Sequence, residues 1–193
     1  SNENDVFGGT TGSVYIQYSQ LEQGSYATSY IPTSGTSVTR NQDVCNNGGS
    51  LASINSTEGV LYAEIAALAN DGNYRLISLS DGSSSDKVVF GYSSSGVFLV
   101  EIISLGILQF STEVYSNDIT QNNKVAFKYK QNDVALWLNG VKVFTNTSAN
   151  MPVGLSELNF NYTNALPFYG KTKALAVWKE ALSDEELTEL TTI

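Results

Sequence analysis

With histidine absent and cysteine present once, at Cys45, carboxylates and aromatic rings are the residues with which this chain could do chemistry. The lack of histidine removes every His-based catalytic triad and every histidine metal site. Cys45 can form no internal disulfide and has no CxxC partner, so it reads as a small packed thiol and leaves the redox compartment open. A glycosidase needs two carboxylates about 5 to 10 Å apart across the bond it cuts. Acids at alternate positions of one strand would supply them, and no strand-like stretch here carries that pattern. Asp184, Glu185 and Glu186 are the densest acids, but they stand where a helix begins. Glu101 is alone in an apolar run, either an inward acid or a residue at an edge or bulge. A jelly-roll polysaccharide lyase wants a His or Tyr base beside Arg and Gln, and the only arginines are Arg40 and Arg75. Nucleotide loops of the GxGxxG or GxxxxGKS/T type are missing.

Two other groups of residues have binding chemistry. The loop DGSSSD places Asp81 and Asp86 among serine and backbone oxygens, the hard ligands that calcium takes. The same sequence is ordinary turn chemistry, and its spacing fits no EF-hand. No other cofactor is implied. Aromatic residues are plentiful, with 11 tyrosines and 2 tryptophans against 3 prolines. An exposed ring stacks on the apolar face of a sugar while neighbouring Asn, Asp or Gln bond its hydroxyls. Tyr74 follows an Asp-Gly-Asn turn, Tyr92 precedes a serine loop, and Tyr162 lies beside Asn161 and Asn164. Trp137 shares a strand face with Ala135, opposite Leu136 and Leu138. Tyr74, Tyr92, Trp137, Tyr162 and Asn161 are therefore the candidate carbohydrate contacts, each with packing in the interior as its competing role. Trp178, in ALAVWKEAL, reads as core.

The elements that must position these residues are strands. Val14, Ile16 and Tyr18 share a face, as do Val88, Phe90 and Tyr92. KVAFKYK sets Val125, Phe127 and Tyr129 inward against Lys124, Lys128 and Lys130 in solvent. LNFNYT sets Leu158, Phe160 and Tyr162 against Asn159, Asn161 and Thr163. The nearly continuous apolar run GVFLVEIISLGILQF predicts strands covered on both faces, broken near Ser104 to Gly106. Asn139-Gly140 between two apolar strands predicts a two-residue type I′ hairpin. TEGVLYAEIAALAN fits a helix and a strand equally by periodicity. In EALSDEELTELTTI, Ser183 and Glu186 form a capping box with acids in the first turn, which predicts a short C-terminal helix docked through Leu187 and Leu190. Many short strands with little helix mean an all-β sandwich or barrel.

The totals agree with a packed domain. Of 193 residues, 41% are apolar, enough for a core. The net charge of −9 disfavours nucleic acid and anionic membrane, which need cationic contacts to phosphate. No apolar run approaches the roughly 20 residues of a membrane span, so membrane insertion is not expected. The first residues lack the basic and apolar regions of a signal peptide.

From about Thr39 onward the order of elements resembles the laminin-G-like, concanavalin A-like lectin and glucanase sandwich. VALWLNGVKVF looks like its strand-NG-strand hairpin, and FYGKTKALAVWKEALSDEELTEL looks like its closing strand and helix. SINSTEGVLYAEIAAL looks like its opening strand, which favours strand for the ambiguous segment. QLEQGSYATSYIPTSG is similar to a junction in tailed-phage and prophage structural proteins, where it closes an upstream jelly-roll module. The resemblance implies an antiparallel two-sheet jelly roll with a short C-terminal helix over residues 38–193. Residues 1–37 are then the last strand and connector of an upstream module, packed on the domain through Tyr26, Tyr30 and Ile31. It further implies a virion tail protein acting outside the cell, with a host-surface glycan and other virion modules as partners and a homotrimer as one assembly. Such domains are not enzymes. Three functions compete: a non-catalytic glycan-binding domain, a structural domain for fibre assembly or trimerisation, and a polysaccharide hydrolase or lyase.

Overall fold

The structure, a computed structural model, describes residues 19–21, 30–39, 48–114, 118–162 and 165–193. The chain divides into two compact units, Ser1–Asp43 and Val44–Ile193. In the first, the Ile31 amide donates to Gln20 Oε1 at 2.7 Å, and Tyr30 is exposed. Tyr26 and the predicted strand through Val14, Ile16 and Tyr18 lie outside the described residues.

In the second unit the elements run β1 (Glu58–Ala67), β2 (Arg75–Ser80), β3 (Lys87–Tyr92), β4 (Phe98–Ser104), β5 (Ile107–Val114), β6 (Asn123–Lys130), β7 (Val134–Leu138), β8 (Val141–Asn146), β9 (Glu157–Asn159), β10 (Gly170–Trp178) and α1 (Asp184–Thr191). They form two antiparallel five-stranded sheets, β10-β1-β6-β7-β8 and β5-β4-β3-β2-β9. Alternation left a sandwich or a barrel open, and the two-sheet sandwich implied by the resemblance is the fold found. The segment that periodicity left open is β1, a central strand. Flanked by β10 and β6, it is buried on both faces, which is why its apolar spacing carried no clean period of two.

Alternate residues from the two sheets fill the space between them. Leu61, Ile65, Ile77, Phe90, Phe98, Phe127 and Leu136 belong to this core. Asn139 (φ 51°) and Gly140 (φ 83°) make the expected positive-φ turn between β7 and β8. The second such turn, at Leu105 (φ 51°) and Gly106 (φ 75°), joins β4 to β5. The run through both strands was expected to be covered on both faces. Only β4 is; β5 is a sheet edge and half exposed.

The capping box forms as predicted. Ser183 Oγ accepts from the Glu186 amide at 3.2 Å, and Glu186 Oε2 accepts from the Ser183 amide at 2.8 Å. Protonating the carboxylate would weaken the bond it accepts, so the Ser183 amide holds the Glu186 carboxyl below its ordinary pKa. Leu187 is fully buried against Val60, Tyr62, Ala126, Ala135 and Trp137, with Leu190 beside it. The helix thus covers the outer face of the first sheet and makes a second, smaller core there. This placement corrects one expectation: Lys128 is 4% exposed beneath the helix, paired with Asp133 at 2.9 Å and Asp184 at 3.2 Å, and does not reach into solvent. Among the described residues no helix is long and apolar enough to cross a membrane.

Candidate functional site

Among the described residues no helix lies on the outer face of the second sheet. Cross-strand register stacks its outward residues in rows. Ser80, Lys87 and Ile103 form one row; Asn159, Ser78, Val89, Glu101 and Ser111 the next; Leu76, Gly91, Leu99 and Glu113 the third. Gly91 leaves the middle of the third row without a side chain. The chain after β9 folds back over this face. Ser78 Oγ donates to the Asn161 carbonyl at 2.7 Å, and the Tyr162 amide donates to the Ala165 carbonyl at 2.6 Å. Tyr162 therefore lies on the outer face over Leu76, Val89 and Leu99. The alternation Leu158, Phe160, Tyr162 does not extend to its third member: Leu158 and Phe160 pack against the inner core, while β9 stops at Asn159 and the turn carries Tyr162 to the opposite side.

Tyr162 organises the charges of this face. Its hydroxyl donates to Glu101 Oε1 at 2.8 Å, and the Lys87 ammonium stands 3.8 Å from its ring centroid. Such a contact between a cation and a ring is favourable and strengthens when water is excluded. Lys87 is 1% exposed. Burial lowers its pKa below the ordinary lysine value, while the Glu101 and Asp81 carboxylates oppose that shift. Burial, and then the bond to Glu101, push the Tyr162 phenol up to about 12.

Beside this assembly is a groove of about 390 Å³, lined by Tyr74, Leu76, Leu99, Glu101, Ser111, Thr112, Glu113, Tyr162 and Leu166. Its volume lies in the range of small-ligand sites. Two tyrosines, two carboxylates and two hydroxyls over a floor of leucine can stack on one face of a sugar and bond its hydroxyls. Of the predicted contacts, Tyr74 and Tyr162 come together here. Asn161 supports the groove through its main-chain carbonyl. Tyr92 and Trp137 do not belong to any exposed site, and both are corrected. Tyr92 is fully buried in the inter-sheet core, its hydroxyl donating to the Ile65 carbonyl at 3.0 Å. Trp137 is 1% exposed under the helix, its Nε1 donating to Thr188 Oγ1 at 3.2 Å. The face shared by Ala135 and Trp137 is indeed outward from the sheet, but α1 covers it.

The loop DGSSSD satisfies itself. Asp81 Oδ1 accepts from the Ser83 amide and hydroxyl, both at 2.8 Å. Asp86 is 3% exposed, and its Oδ1 accepts from the Val153 amide at 2.8 Å and the Leu105 amide at 3.2 Å. Asp86 thus pins two loops, and the two carboxylates face different partners. Among the described residues no cluster of three or more acidic or cysteine ligands is present.

Sequence reasoning missed Glu113, Ser111 and Lys87 as members of the site and treated Glu101 as isolated. The available signal was the β4–β5 hairpin. Folding EIISLGILQFSTEV about Leu105-Gly106 brings Glu101 opposite Ser111 and Leu99 opposite Glu113, provided Gln109 bulges out of β5 opposite the Ile102–Ile103 step.

No protein-family model matches the sequence, and no curated protein matches it. Solved structures do match in fold. A leech intramolecular trans-sialidase superposes with a TM-score of 0.59 at 18% identity over 72% of this chain, which spans only 24% of that protein. The CBM40 of a Ruminococcus gnavus IT-sialidase, bound to α2,6-sialyllactose, gives 0.59 at 15% identity over 78% of this chain and 95% of that one. A SAP-like pentraxin from Limulus polyphemus gives 0.55 at 12% identity over 80% and 78%. The chain shares their jelly-roll sandwich.

Proposed function

We propose that this chain is a non-catalytic glycan-binding domain whose site is the groove on the outer face of the β5-β4-β3-β2-β9 sheet. One observation carries the reading: Tyr74 and Tyr162 flank carboxylates and hydroxyls over an apolar floor, on an outer sheet face that no helix covers among the described residues. The matching fold of a carbohydrate-binding module solved with sialyllactose supports it. The likeness of QLEQGSYATSYIPTSG to a junction in tailed-phage proteins supports a place in a virion tail, outside the cell, with a host-surface glycan as partner and residues 1–37 as the end of an upstream module. A glycan array followed by calorimetry tests the binding. Saturable binding should weaken at least tenfold in Tyr162→Ala and Tyr74→Ala and persist in Trp137→Phe. Absence of saturable binding to any glycan refutes the reading, and release of reducing ends from a bound polysaccharide refutes its non-catalytic part.

A second reading, a contact for fibre assembly, rests on the β4–β5 turn. Leu105, Ile107, Leu108 and Val153 are all exposed there, on the edge strand or the loop that Asp86 ties to it. A monomeric mass in light scattering at high concentration removes that reading.

A further inference from the structure

We infer that the groove takes a glycan bearing a free amino group, its ammonium seated between Glu101 and Glu113, and that it rejects sialylated glycans. The inference rests on the glycan-binding reading and specifies the class of ligand. Glu101 pairs with Ser111 and Glu113 with Leu99, so the two acids are diagonal neighbours on one sheet face. Such positions are about 7 to 8 Å apart between Cα atoms, close enough for two carboxylates to repel and for one small cation to meet both.

Among the described residues no cation meets that need at the groove. None of its lining residues is a lysine or arginine. Lys87 is the nearest basic residue in the rows, and its ammonium is buried against the Tyr162 ring. Arg75 is spent elsewhere, with Nη2 on Asp71 at 2.7 Å and Nη1 on the Asn73 carbonyl at 3.0 Å. The Tyr162 hydroxyl occupies one oxygen of Glu101. Glu113 has no hydrogen-bond or ion-pair partner among the described residues. A ligand carboxylate entering here would meet two like charges, no guanidinium, and the field of a chain with net charge −9. A ligand ammonium would relieve the repulsion and be drawn by the same field. The tyrosines on either side then hold the sugar ring that carries it.

Calorimetry on the full chain with matched probes tests this. The pairs are glucosamine tetramer against its N-acetylated form, galactosamine oligomer against its N-acetylated form, and sialyllactose against lactose. At low salt at least one amine form should bind ten times more tightly than its acetylated partner, and sialyllactose should bind no better than lactose. Glu113→Gln should remove most of the amine preference. Glu180→Gln, which makes the same charge change at an exposed position beyond β10, should leave it in place and so separates the site from general attraction to an acidic protein. Equal or tighter binding of both acetylated forms, tighter binding of sialyllactose than lactose, or an amine preference unaffected by Glu113→Gln overturns the inference. In those cases saturable glycan binding still stands. If no glycan binds at all, the reading beneath it fails as well.

Discussion

Replacing Tyr162 by phenylalanine removes one hydroxyl from the centre of the site and leaves the ring in place. The bond lost is 2.8 Å long and ends on a carboxylate. Hydrogen bonds to charged groups contribute about 1.5 to 3 kcal/mol when buried. Glu101 is only half-buried and can recover a water, so a cost of about 1 kcal/mol is expected. Tyr162→Ala removes more. The Leu76, Val89 and Leu99 cluster loses its cover, and Lys87 loses the ring it stands on while staying buried. Truncating a buried aromatic costs about 3 to 5 kcal/mol, and Tyr162 is partly buried, so about 3 kcal/mol is expected. Urea denaturation followed by circular dichroism measures both, with an unchanged slope confirming that the same surface is exposed. The alkaline limb gives a second readout. The folded-state pKa of Tyr162 is raised to about 12, above its ordinary value, so the protonated phenol stabilises the fold. That contribution is complete below about pH 10, the value of a free phenol, and fades as pH rises through about 12. Tyr162→Phe should reduce this loss of stability between pH 10 and 12, leaving the shares of Tyr92, whose phenol is also pushed up to about 12 by burial, and of Tyr129 and Tyr62, which burial raises as well. If Phe and Ala variants are equally unstable, or if neither differs from the parent, the role assigned to the Tyr162 ring and hydroxyl is wrong.

Two further outcomes are expected. Leu187→Ala should cost about 2 to 4 kcal/mol, because Leu187 is wholly buried between the helix and the first sheet; Trp137 should then become water-exposed, read as a red shift of its fluorescence in a Trp178→Phe background, and an unshifted spectrum contradicts the docking. Asp86→Ala should cost about 2 to 4 kcal/mol by leaving the Val153 and Leu105 amides without their shared acceptor, whereas Asp81→Ala at the exposed turn should cost less than about 1 kcal/mol. Thermal melts with and without added calcium check this, and a large calcium-dependent rise in Tm abolished by Asp81→Ala would argue for the ion site instead.

The residues legible from sequence were those whose local chemistry has few solutions. Asn139-Gly140 accepts the positive φ of a tight hairpin, and Ser183 with Glu186 caps a helix from within four residues. Val125, Phe127 and Tyr129 alternate cleanly because β6 turns them to the inter-sheet core and sets lysines on its other face, even though α1 buries Lys128 there. Where an element is buried on both faces the pattern fades, as in β1, whose type periodicity could not decide. The aromatic candidates divided for the same reason. Tyr92 and Trp137 stand on strands where either face is covered, one by the opposite sheet and the other by α1, and strand alternation cannot say that a helix 50 residues later will land on a face. Tyr74 and Tyr162 lie outside the strands, on segments that leave Tyr74 exposed and Tyr162 half-buried at the groove.

What the sequence determined by itself was therefore the all-β class, its hairpin, its closing helix, and an acidic chain with no histidine chemistry. The tertiary structure decided which acids share a site. Glu101 and Glu113 are twelve positions apart, and only the bulge at Gln109, opposite the Ile102–Ile103 step, sets them on one face. Without that extra residue the register of β5 slips by one and Glu113 turns into the core, because side chains alternate with a period of two. Pairing across strands depends on which backbone atoms bond, and it is the register that packs Phe110 and Val114 against the core that sets the two carboxylates together on the opposite face.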